Sequence, residues 1–100
     1  MNQATAPVTV SPGQRADILR FASWLLTHAD RADTRQVLDS SAPLLEWASS
    51  AADSTDLRCR MAAMQRAHDN TAARPGTLSP AQFLVRADGY YRFITGGGTG

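Results

Sequence analysis

The chain contains no lysine. Its ten basic residues are all arginine, and its nine acids are eight aspartates and a single glutamate, Glu46. Every cation is therefore a planar, permanently charged guanidinium that can fork onto a carboxylate or phosphate and stack on an aromatic ring. Acids and bases nearly cancel, for a formal charge of +1, which excludes the strong global field behind avid nucleic-acid or anionic-membrane binding. Cysteine is almost absent. With Cys59 alone, neither an internal disulfide nor a multi-cysteine metal site can form, and a reducing compartment is expected. Long apolar runs are missing too: none approaches the roughly 18 residues of a membrane span. The opening Met1-Asn2-Gln3-Ala4-Thr5-Ala6-Pro7 has no basic or apolar leader pattern. These absences predict a cytoplasmic, soluble chain without a membrane partner.

What is present is a helical pattern opened by capping signals. At 100 residues the chain suits one domain with one core. Ser11-Pro12-Gly13-Gln14 puts serine at an N-cap, proline at the first helical position and glutamine where it closes a capping box. A helix is predicted over residues 12–30, with Ile18, Ala22, Leu25 and Ala29 on one stripe and Phe21, Leu19 and Leu26 beside it. Asp33-Thr34-Arg35-Gln36 repeats the logic and opens a helix over 34–53, kinked at Pro43, whose stripe is Val37, Ser41, Leu44, Ala48 and Ala51. Ser54 is read as the cap of a third helix, 55–70, carrying Leu57, Met61, Met64 and His68. Arg74-Pro75-Gly76 marks a turn. Ser79-Pro80-Ala81-Gln82 then opens a fourth helix, 80–95, with Phe83, Leu84, Ala87, Tyr90, Tyr91 and Ile94 inward. The expected architecture is an all-α, small four-helix bundle over 11–95, with flexible tails at 1–10 and at the glycine-rich 96–100.

Asparagine and isoleucine number two each against seventeen alanines, a bias that points to a GC-rich coding genome. In this composition, and in the segment Arg20-Phe21-Ala22-Ser23-Trp24-Leu25-Leu26, the chain resembles small uncharacterised helical proteins encoded by actinobacterial phages, prophages and plasmids. That resemblance implies a setting on a mobile element and carries no site residue with it.

Three patterns could carry chemistry. His28, the doublet His68-Asp69 and Asp88 follow the order of ligands in HD-type metal-dependent phosphohydrolases, yet the doublet falls at a helix end beside Asn70-Thr71, and a partly buried structural histidine is the simpler reading. Asp39-Ser40 resembles the attachment site of acyl carrier proteins, but next to Pro43 its serines are more simply local capping groups. No nucleophile, base and orienting group can be assembled. The expectation is accordingly no enzyme, no metal site and no cofactor. Arg58, Arg60 and Arg66 on the third helix, or Arg15, Arg20, Arg31 and Arg35 around the first connection, offer the alternative of a DNA-binding regulator, weakened by the aspartates that interrupt them.

Protein binding is the preferred expectation. Trp24, Trp47, Val85 and Phe93 all fall off the predicted stripes, and aromatics flanked by arginine are common interface anchors. The candidate contact residues are Arg20, Trp24, His28, Arg31, Trp47 and Phe93. A partner protein, or a second copy in a homodimer, would sit on them. The competing reading is that a four-helix bundle buries a wider arc than one stripe and takes both tryptophans into its core.

Overall fold

The computed structural model describes residues 8–26, 33–70 and 79–96. Four helices follow in order, α1 (Pro12–Leu25), α2 (Thr34–Ser49), α3 (Ser54–Asn70) and α4 (Pro80–Ile94), and no strand occurs among the described residues. The all-α four-helix fold is as expected. His28, Arg31 and the Arg74-Pro75-Gly76 turn lie outside the described residues.

The capping chemistry explains where the helices begin. Ser11 Oγ accepts from the Gln14 amide at 3.1 Å while the Gln14 side chain accepts from the Ser11 amide at 2.9 Å. Asp33 and Gln36 repeat this reciprocal pair at 2.9 Å in both directions, as do Ser79 and Gln82 at 2.9 and 3.2 Å. Each cap is worth about 1 kcal/mol because it satisfies amides that have no partner within the helix. The third cap differs from the expected Ser54. Asp53 instead accepts from the Asp56 amide at 2.7 Å, and the Asp56 carboxylate reaches back to the Ala52 amide at 2.8 Å. A carboxylate satisfies these donors more strongly than a neutral hydroxyl.

Helix ends are shorter than periodicity alone predicts. α1 stops at Leu25, where the Leu26 amide turns to Ser23 O at 3.1 Å; residues 27–30 of the expected helix lie outside the described residues. α2 runs unbroken through Pro43 but ends at Ser49 rather than at residue 53; the Ser50 amide and hydroxyl both bond the Glu46 carbonyl, and the Ala51 amide turns to Ala48 O at 3.2 Å. α4 closes at Gly96, whose φ of +76° is the left-handed conformation that glycine adopts without strain. Two residues of the expected N-terminal tail belong to the bundle instead: Val10 is buried, and Val8 packs against the core.

α1 packs mainly on α2 and α3 on α4, and the two pairs are joined chiefly through α2 and α4. Between them lie Phe21, Leu44, Met64 and Phe83, the largest fully buried side chains, each contributing roughly 1.5–3 kcal/mol by leaving water. Ala22, Ala48, Ala63, Ala67 and Ala87 are completely inaccessible. Their small side chains let helices approach closely, so the abundance of alanine shapes the packing. α3 consequently buries a face broadened toward Ala63 and Ala67, with Met61 and His68 only half-buried. Two residues assigned to the core are largely exposed instead, Leu19 at 40% and Ile94 at 43%, since each stands at the edge of its helix pair.

Candidate functional site

The anticipated patch around Arg20 and Trp24 is built into the bundle. The Trp24 ring meets His68 edge-on at 4.8 Å between centroids and lies 6.2 Å from Phe83, while Phe21 lies 5.5 Å from His68 and 5.9 Å from Phe83. Four rings from α1, α3 and α4 thus form one aromatic cluster. Trp24 is half-buried and packs against the core. Arg20 is similarly engaged: it pairs with Asp17 at 3.3 Å and donates to Gln65 on α3 at 2.9 Å, with its guanidinium 4.8 Å from the Phe21 ring centroid. Gln65 in turn donates to Asp69 at 2.8 Å, and His68 Nδ1 lies 3.3 Å from the same carboxylate. These bonds hold the Asp69 carboxyl below the ordinary carboxylate range, the Gln65 amide being the largest cause and His68 the next.

Trp47 belongs to a second internal cluster. Arg60 donates to the Trp47 carbonyl at 2.8 Å, and its guanidinium carbon lies 5.0 Å from the Trp47 ring and 4.8 Å from the Tyr91 ring. The two rings meet edge to face at 5.7 Å. The Tyr91 hydroxyl donates to Asp56, whose other oxygen lies 3.4 Å from Arg60 Nε. The Tyr91 bond is the largest influence lowering the Asp56 pKa; burial opposes it, and the Ala52 amide and Arg60 reinforce it. Tyr91 moves upward, first because its proton is shared with Asp56 and then because it is buried. Trp47 was proposed to contact a partner, yet the structure employs it to join the end of α2 to α3 and α4.

Of the HD-like set, His28 lies outside the described residues. His68 and Asp69 occupy the α1–α3 junction, and Asp88 pairs with Arg92 along α4 at 2.9 Å. Among the described residues, no three His, Cys, Asp or Glu side chains group as metal ligands. No helix among the described residues is long and apolar enough to cross a membrane.

Among the described residues, Phe93 is the aromatic contact candidate that the fold leaves exposed. Its side chain is 83% exposed, and Val85, two turns earlier on α4, is 73% exposed. Phe93 lines an open groove of about 660 Å³ with Tyr90 and Ile94 of α4 and Ala62 and Arg66 of α3. At its end, Asn70 donates to the Tyr90 hydroxyl, fixing that ring across the helix pair. A second groove, about 350 Å³, lies between α1 and α2, where Leu19, Leu38, Ala42 and Leu45 surround a floor that includes Ile18. Leu38 is 51% exposed. Sequence reasoning missed this groove because Leu19 sits beside the α1 stripe, and only the position of α2 shows that Leu19 and Leu38 remain exposed there. Leu38, one position from Val37 and off the α2 stripe, was the available signal.

The chain matches no protein-family model, no curated protein and no solved structure.

Proposed function

We propose that this protein is a non-enzymatic protein–protein interaction module and that the outer face of α3 and α4, centred on Phe93, is its contact surface. The observation that carries this reading is the 83% exposure of Phe93 at the mouth of an apolar groove. A phenylalanine left in water gives up the roughly 1.5–3 kcal/mol that burial of such a side chain provides, and aromatics concentrate at the centres of interfaces. Arg66 lies in the groove wall, and Arg86 is exposed on the preceding turns of α4. Arg86 forms no ion pair among the described residues, and Arg66 interacts with Asp69 only through its charge, without a close ion pair. Among the described residues, Asp33, Asp53 and Asp56 serve as helix caps and Asp56 and Tyr91 tie α3 to α4, which supports a binding role. A setting in a phage, prophage or plasmid remains part of this proposal, with a host protein or the protein itself as partner.

The test is co-purification of tagged wild type and Phe93→Ser from the cells that produce the protein. Both forms should show the same helical circular dichroism, and a stoichiometric companion should be lost with Phe93→Ser. Equal recovery of every companion with both forms contradicts the assignment of this face.

A further inference from the structure

The two most exposed large apolar side chains among the described residues share one ridge of α4. Val85 is 73% and Phe93 83% exposed, and Gly89, also exposed, stands midway between them. At about 100° and 1.5 Å per residue, each step along this ridge turns by only about 40°, and the whole spans about 12 Å. Completely buried Ala87 lies about 200° round the helix from Gly89, so the ridge points away from the bundle.

The middle of the ridge is a notch. A Cβ built at Gly89 meets nothing within 4 Å, so the monomer needs no glycine there, and glycine weakens a helix interior. A position without a side chain, with a large apolar group one turn to either side, has the shape that admits a second helix at close approach. Phe93, moreover, has no ring or guanidinium against it among the described residues. Arg86, one turn before Gly89, has no ion pair there either.

We propose that the occupant of this ridge is a second copy of the chain, packed two-fold and antiparallel through α4, with the helices crossing at Gly89. A two-fold contact must be self-complementary, and the ridge is nearly palindromic about Gly89. The two-fold brings Phe93 level with the partner's Val85. Because these side chains lean about 40° to opposite sides of the ridge, they pass beside each other. Phe93 leans toward the flank that carries Arg86, and on that flank the partner's Arg86 comes within one residue's rise, about 1.5 Å, of the Phe93 level. The guanidinium then covers the ring, as Arg20 covers Phe21 and Arg60 covers Trp47 and Tyr91 within the chain. On the other flank Asp88 and Arg92, paired at 2.9 Å, approach the same pair of the partner in alternating order. Antiparallel packing also opposes the two helix dipoles. This inference rests on the interaction reading above and specifies its partner.

Sedimentation velocity tests it. Wild type is expected to pass from monomer to dimer, and no further, as concentration rises toward about 1 mM. Gly89→Leu fills the notch and should weaken dimerisation by about tenfold or more. The same substitution should raise the melting temperature of dilute protein, because leucine suits a helix interior better than glycine. Phe93→Asp should weaken dimerisation as strongly, and Arg86→Glu by about threefold; both positions are exposed, and circular dichroism should show each variant folded. Nitroxide labels on Ala81→Cys in a Cys59→Ser background should lie more than about 20 Å apart in the dimer, since antiparallel packing sets the two positions at opposite ends of the contact. The proposal is overturned by a wild type that stays monomeric at about 1 mM, by Gly89→Leu dimerising like wild type, or by labels at close range, which make the pair parallel. If the wild type is monomeric but Phe93→Ser still loses a different companion protein, the interaction reading stands and only the self-partner is wrong.

Discussion

Asp56 and Tyr91 join the first turn of α3 to the last turn of α4 through a direct hydroxyl-to-carboxylate hydrogen bond. Arg60 lies between them and Trp47, so a residue that sequence reading offered to a partner is held by three others. Arg60→Ala should destabilise the fold by about 1–3 kcal/mol, since it leaves the Asp56 carboxylate and the Trp47 carbonyl short of a donor. Tyr91→Phe should cost less, about 0.5–1.5 kcal/mol. Urea unfolding followed by circular dichroism measures both, and values within error of wild type would refute the cluster as a tie.

The same pair sets a pH signature. The Asp56 pKa is lowered in the folded state by Tyr91, the Ala52 amide and Arg60, so its contribution is complete above the unfolded value of about 3.9 and is lost as pH falls through the folded value. The Tyr91 pKa is raised, so its contribution is complete below about pH 10 and is lost as pH climbs toward the folded value. Asp56→Asn should therefore flatten the acid limb of the stability profile, and Tyr91→Phe the alkaline limb. Identical limbs in wild type and variants would show that the pair is not coupled to folding.

Trp24→Ala removes a ring from the four-ring cluster with Phe21, His68 and Phe83. A loss of about 2–4 kcal/mol is expected, less than for a fully buried tryptophan because one edge is already exposed. Chemical denaturation decides this. An unaltered midpoint would return Trp24 to the surface role.

Gly89 lies in the middle of α4 on the exposed side, and a Cβ built there meets nothing within 4 Å. The monomer thus has no packing reason for glycine at this position. Gly89→Ala should stabilise it by about 0.5–1 kcal/mol through backbone entropy and helix propensity. A lower melting temperature at low protein concentration would contradict this.

The helix starts were legible because capping is local: Ser11, Asp33 and Ser79 sit three residues before glutamines that close each box. Stripe periodicity likewise located Ile18, Phe21, Leu44, Leu57, Met64 and Phe83 in the core. Where the reading failed, the cause was tertiary. Asp53 displaced Ser54 as a cap because a neighbouring carboxylate binds the amide better. Trp24 and Trp47 lie off the one-stripe axis, yet each helix of a four-helix bundle touches more than one neighbour, and the flanks of a stripe are buried as well. Leu19 and Ile94 show the converse, residues assigned to the core that remain partly exposed at the grooves between helices. Of the anticipated contact residues, Phe93 alone keeps an open apolar face, and His28 and Arg31 fall outside the described residues.

Site-specific photo-crosslinking tests the central claim most directly. A photoreactive side chain placed at position 93, and a control at exposed Thr55 on the first turn of α3, are activated in the cells that make the protein. The account predicts a discrete crosslinked species from position 93 only, at twice the chain mass if the partner is another copy. The same products from both positions, or none from position 93, would contradict it.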